Sequence, residues 1–98
     1  MEEKRIESVN VELDELEKLA LLAYQLFGEG PVDFHHLRYE FVKSPLFAHI
    51  KGDWFVKSLA YVILSTEVLE KRDGKYYIKK KYIDKIKKIS HKIHILTP

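Results

Sequence analysis

Five histidines are the side chains of this 98-residue chain whose types and spacing first invite chemistry. His35 and His36 are adjacent, His49 stands alone, and His91 and His94 lie one helical turn apart. Zinc sites ordinarily complete such histidines with Cys or closely spaced carboxylates, and the chain contains no cysteine. Solvated or helix-end histidines are therefore the expectation, with no metal and no other cofactor. The lack of cysteine also removes disulfides and thiolate nucleophiles, leaving packing and ion pairs to hold the fold. No Ser-His-Asp order, phosphate-cradling glycine loop or carboxylate pair in an evident cleft can be read along the chain. A binding protein rather than an enzyme is expected.

The charges carry more information than the histidines. The formal net charge is only +2, but residues 1–70 hold 7 Lys+Arg against 13 Asp+Glu, a balance of −6, and residues 71–98 hold 10 against 2, a balance of +8. Such asymmetry implies a polyanion-facing surface at the C-terminal end, or a solvated lysine-rich helix that keeps the protein in solution. No apolar run approaches the roughly 18 to 20 residues of a membrane span, and the start, Met1 to Arg5, lacks the apolar stretch of a secretory signal. A cytoplasmic protein with no membrane contact is expected. Asn10 and Gln25 are the only side-chain amides and Met1 the only methionine, beside abundant Lys, Glu and Ile. That composition resembles hyperthermophile proteins and predicts a thermophilic source.

The elements that must position these groups follow from hydrophobic period and punctuation. Residues 1–9 have no period and read as a loose N-terminal segment, although Val9 and Val11 could form a short strand; residues 10–98 read as one domain. A first amphipathic helix is expected over residues 11–27, with Leu13, Leu16, Leu19, Ala20, Ala23, Leu26 and Phe27 inward, Asn10 as N-cap and Gly28 as stop. Asp33 caps a second helix that buries Phe34, Leu37, Phe41 and Val42. Ser44-Pro45 ends it and starts a short helical turn with Leu46, Phe47 and Ile50 inward. Asp53 caps a third helix over residues 54–65, for which Phe55, Leu59, Val62 and Ile63 form the expected core stripe. Trp54, Lys57, Ser58 and Tyr61 fall outside that stripe.

Residues 67–72, Asp73-Gly74 and residues 75–79 read as a hairpin on a two-residue type I′ turn, pairing Arg72 with Lys75, Lys71 with Tyr76, Glu70 with Tyr77 and Leu69 with Ile78. A last helix begins at Lys80. Its seam of Tyr82, Ile86, Ile89 and Ile93 suits either the domain's own core or the same helix of a second chain. The fold class is thus mainly α with one β-hairpin.

Helix, connector, helix, helix, hairpin, helix resembles the winged helix-turn-helix superfamily, most closely over residues 54–79, where Leu59 to Ile78 looks like a recognition-helix exit and wing. The resemblance implies that residues 54–65 form a recognition helix with Trp54, Lys57, Ser58 and Tyr61 facing the groove, and that Lys71, Arg72 and Lys75 form the wing. It also implies that the extra C-terminal helix matches the one with which small archaeal regulators dimerise. Lys57 is the only basic residue on the third helix, so the expected DNA contacts are to phosphate, from the wing together with Lys79, Lys80 and Lys81. The function expected is a small archaeal or archaeal-virus transcription regulator or chromatin-associated factor on duplex DNA, dimeric through Tyr82, Ile86, Ile89 and Ile93. The alternative is a protein-interaction module, an accessory subunit of a replication or transcription complex. In that case the acidic N-terminal half and an aromatic patch of Trp54 and Tyr61 would be the contact surface.

Overall fold

Residues 13–96, and the side chains of residues 13–89, are described by a computed structural model. Helix α1 spans Glu15–Phe27. Its N-cap is Asp14, whose carboxylate accepts from the Glu17 N–H at 2.8 Å while the Glu17 side chain accepts from the Asp14 N–H at 3.0 Å. This reciprocal capping box satisfies two end groups at once and displaces the expected start at Asn10, which lies outside the described residues. So do the expected loose segment over residues 1–9 and the short strand at Val9 and Val11. Gly28 ends the helix as expected, its N–H donating to the Tyr24 carbonyl.

Asp33 caps α2, Phe34–Lys43, by accepting from the His35 and His36 N–H groups. Ser44 ends α2 and caps a 3₁₀ turn, Pro45–Phe47, its hydroxyl accepting from the Leu46 N–H at 3.1 Å. The link to the next helix closes at Gly52, where φ is 131° and a Cβ would stand 2.7 Å from the Val56 side chain. Only glycine meets both demands. Asp53 then caps α3, Trp54–Val68, accepting from the Val56 N–H. This helix runs three residues beyond its expected end and passes into the hairpin without a break.

Strands β1, Leu69–Arg72, and β2, Lys75–Ile78, pair in the expected register: Leu69 with Ile78, Glu70 with Tyr77, Lys71 with Tyr76 and Arg72 with Lys75. Asp73 and Gly74, at φ of 50° and 77°, form the turn, as a type I′ geometry requires. One pairing had no sequence signal. Val32 bridges antiparallel to Tyr76, its N–H donating to the Tyr76 carbonyl at 2.8 Å, so the segment before α2 adds a one-residue third strand to the hairpin. Helix α4, Lys80–Leu96, follows the hairpin. The described fold is therefore mainly helical, with four helices and a two-strand antiparallel hairpin.

Helix α1 packs against α2, α3 and α4. Its Leu19, Ala20 and Ala23 are fully buried, among Leu37 and Phe41 of α2, Phe47 of the 3₁₀ turn, Tyr61 and Val68 of α3, Leu69 and Ile78 of the hairpin, and Tyr82, Ile83 and Ile86 of α4. Small buried residues on both central helices, Ala20 and Ala23 on α1 and Ser58 and Ser65 on α3, suit a close approach of their backbones.

Candidate interaction surface

The orientation of α3 decides which of its side chains reach the surface, and Tyr61 sets that orientation. Its ring lies 4.9 Å from Phe34 and 5.5 Å from Phe41, centroid to centroid. Its hydroxyl donates to the Phe34 carbonyl oxygen at 2.7 Å. A buried tyrosine keeps its polar tip only where such an acceptor exists, and burial holds the phenol well above its ordinary pKa. With Tyr61 inward, Ser58, Ser65 and Val68 are buried on the same side of the helix. Ser65 donates back to the Val62 carbonyl, whereas the buried Ser58 hydroxyl has no hydrogen-bond partner among the described residues.

The consequence reverses the expected stripe. Phe55 is 63% exposed, Leu59 49%, Val62 41% and Ile63 68%, so the four residues expected in the core stand on the surface, with Val56 beside them. At three- and four-residue spacings they form one continuous arc along α3. Tyr61 and Ser58, expected to face a groove, are inside, and Lys57 is half-buried. Trp54 is half-exposed at the start of the helix, with the Arg38 guanidinium 5.2 Å from its ring centroid. The expected aromatic patch of Trp54 and Tyr61 therefore does not form; Trp54 adjoins Phe55 and Val56 instead.

Sequence period could not find this surface, because α3 is apolar on nearly every side. Either half of the helix could have been the core. The discriminating signal was polar: one tyrosine that needs an acceptor, and two serines small enough to sit between helices.

The basic end of the chain is exposed at the hairpin but substantially engaged. Arg72 holds Glu70 at 3.2 Å and lies 4.0 Å from the Tyr77 ring centroid. Lys71 lies 5.7 Å from the Tyr76 ring, which itself packs 5.3 Å from Phe34. Lys75 is exposed at the hairpin tip and Lys79 half-buried at its base. On α4, Lys80 pairs with Asp84 at 3.3 Å, Lys81 lies 5.2 Å from the Tyr82 ring, Lys85 pairs with Glu17 of α1, and Lys87 pairs with Glu29 at 2.7 Å. The Lys85 ammonium holds the Glu17 carboxyl below its ordinary pKa, and the Glu29 carboxylate holds Lys87 above its own. The acidic and basic parts of the sequence thus meet across α1 and α4.

The expected dimer seam is otherwise occupied. Tyr82, Ile86 and Ile89 are buried in their own domain, beside Leu13, Glu17 and Ala20 of the α1 region, and burial among acidic neighbours raises the Tyr82 phenol pKa. The Ile93 side chain lies outside the described residues. Among the histidines, His49 pairs with Glu15, and His36 lies 3.5 Å from Glu40 and edge-on to Phe27. No group of three potential metal ligands occurs among the described residues, and no described helix is long and apolar enough to cross a membrane. Comparison with known families, with curated proteins and with solved structures finds no match to the chain.

Proposed function

We propose that this chain is a non-enzymatic protein-interaction module of winged-helix type whose third helix docks on a protein surface. Three features support the winged-helix reading: the order of helices, the hairpin that follows α3 directly, and the Val32 bridge that supplies a rudimentary third strand. The single observation that carries the function is the apolar arc of Phe55, Val56, Leu59, Val62 and Ile63 on the helix that winged-helix DNA readers insert into the major groove. Base edges are read by Arg, Lys, Asn and Gln. An aliphatic and aromatic arc offers them little beyond a thymine methyl, and presents no charge to phosphate. Contiguous apolar surface of this kind marks protein contact sites.

A photo-crosslinking amino acid at Leu59, compared with one at Lys81, tests the proposal in cells expressing the protein. Covalent protein adducts are expected from position 59 and not from position 81. Adducts to nucleic acid, or none to protein from position 59, would overturn it.

A second reading, binding to the backbone of duplex DNA, is favoured by Lys71, Lys75, Lys79 and Lys81, which no described carboxylate pairs. The intramolecular pairing of Arg72, Lys80, Lys85 and Lys87 leaves that surface fewer uncompensated cations than the sequence suggested. Titration with random duplex DNA at two salt concentrations separates the readings. Phosphate binding would show a steep salt slope that falls by about one unit for each of Lys71 and Lys75 replaced by alanine.

A further inference from the structure

We infer that the occupant of the α3 surface is a second copy of this chain, packed about a two-fold axis with the two α3 helices antiparallel. The inference rests on the reading of α3 as a docking helix. Three observations lead from that reading to self-association.

The first is the composition of the arc. Its exposed positions are Phe55, Val56, Leu59, Val62, Ile63 and Thr66, all uncharged, and Glu67 is the one charge, at the C-terminal end. A two-fold interface sets one patch against itself, so charge within the patch would meet its own image. This patch has none except at its edge.

The second is area. With side chains of about 150 to 250 Å² exposed to the fractions found here, Phe55, Val56, Leu59, Val62 and Ile63 leave roughly 500 Å² open, and Trp54 and Thr66 extend it at either end. The largest apolar patch of a typical monomer is about 300 to 600 Å² and is often a functional surface. Two such faces together bury at most about 1,000 Å², and more only with their ends included, which is the lower limit for a specific interface.

The third is direction. A parallel pair would bring Glu67 against Glu67 of the second copy, and the two helix dipoles into alignment. An antiparallel pair instead brings Glu67 to the start of the second copy's α3, where Lys51 is exposed and the helix end carries partial positive charge. Asp53 also lies there as the N-cap of the helix and offsets part of that positive charge, so the exposed Lys51 ammonium is the partner for Glu67. Leu59 and Val62 then lie nearest the axis, and Phe55 lies across from Thr66 of the second copy.

Sedimentation equilibrium of the full chain over a concentration series is the test. The wild type is expected to dimerise, and Ile63→Glu to weaken the dimer by at least about 100-fold, because each substitution enters the interface twice. Ile63 is two-thirds exposed, so that variant should keep its helical circular dichroism and melt within a few degrees of the wild type; Phe55→Glu serves as the second variant should it not fold. A wild type that stays monomeric at millimolar concentration overturns the second copy as occupant while leaving the docking reading intact. A dimer that both charged variants leave unchanged overturns the inference, and the docking reading fails separately if position 59 then crosslinks to no protein. Direction is read from cysteine variants, since the chain has no cysteine of its own. Phe55→Cys mixed with Thr66→Cys should form a mixed disulfide far faster than either forms one alone, and the reverse result overturns the antiparallel arrangement.

Discussion

Replacing Tyr61 by alanine and, separately, Ile63 by alanine asks directly which way α3 is turned. Tyr61 is fully buried, its ring lies within 5.5 Å of both Phe34 and Phe41, and its hydroxyl is bonded to a carbonyl. Truncating a large buried aromatic costs about 3 to 5 kcal/mol. At roughly 4 to 8 °C per kcal/mol for a domain of this size, the melting midpoint should fall by about 12 to 40 °C. Ile63 is 68% exposed. Only about a third of the 1.5 to 3 kcal/mol available from burying such a side chain is at stake, or about 0.5 to 1 kcal/mol. The better helix propensity of alanine offsets part of that loss, and the midpoint should move by a few degrees at most. Thermal melts followed by circular dichroism at low micromolar concentration make the comparison, because any stabilisation by self-association disappears on dilution. Equal losses, or a larger loss from Ile63→Ala, would return the stripe of Phe55, Leu59, Val62 and Ile63 to the core and refute the account of α3.

Tyr61→Phe keeps the ring and removes only the bond to the Phe34 carbonyl, so a loss of about 1 kcal/mol is expected in urea unfolding, with the m-value unchanged. Gly52→Ala forces a side chain onto a φ of 131° against Val56 and should destabilise by about 1 to 3 kcal/mol in the same assay. The Glu17 carboxyl is held below its ordinary pKa chiefly by Lys85. Its contribution is therefore present above the ordinary glutamate pKa and is lost as pH falls through the lowered value. Glu17→Gln should lose less than about 1 kcal/mol at neutral pH and show a shallower stability decline in acid, as suits a partly exposed pair.

The parts of the fold that sequence made legible are those governed by short-range rules. Asp33, Ser44 and Asp53 announced their helix starts because a side-chain oxygen at that position accepts an N–H left free by the first turn. The hairpin register followed from Asp73-Gly74 alone, since a two-residue turn leaves no freedom in what pairs with what. The start of α1 was missed because two capping signals compete there. The Asp14 and Glu17 pair prevails by satisfying both backbone groups at once. The Val32 bridge was invisible for another reason: one residue of strand has no period.

The apolar residues of α3 were legible in the sequence, but which of them face outward was not, and the stripe expected in the core is the one exposed. A helix with one apolar side must bury that side, but α3 offers two, and hydrophobic burial does not choose between them. The choice fell to a hydroxyl and a carbonyl on separate helices, Tyr61 and Phe34, a long-range match that no local pattern encodes. Charge was legible in the complementary way. The acidic and basic parts of the chain, so separate in sequence, meet as Glu17 with Lys85 and Glu29 with Lys87. Part of what reads as a polyanion-binding end is thereby engaged within the fold. The apolar arc of α3 has no such answer among the described residues. A chain that pairs part of its charge internally and leaves the apolar arc of its third helix exposed has, on the proposed reading, a surface suited to a dry contact, and a second copy of the same helix would meet that requirement.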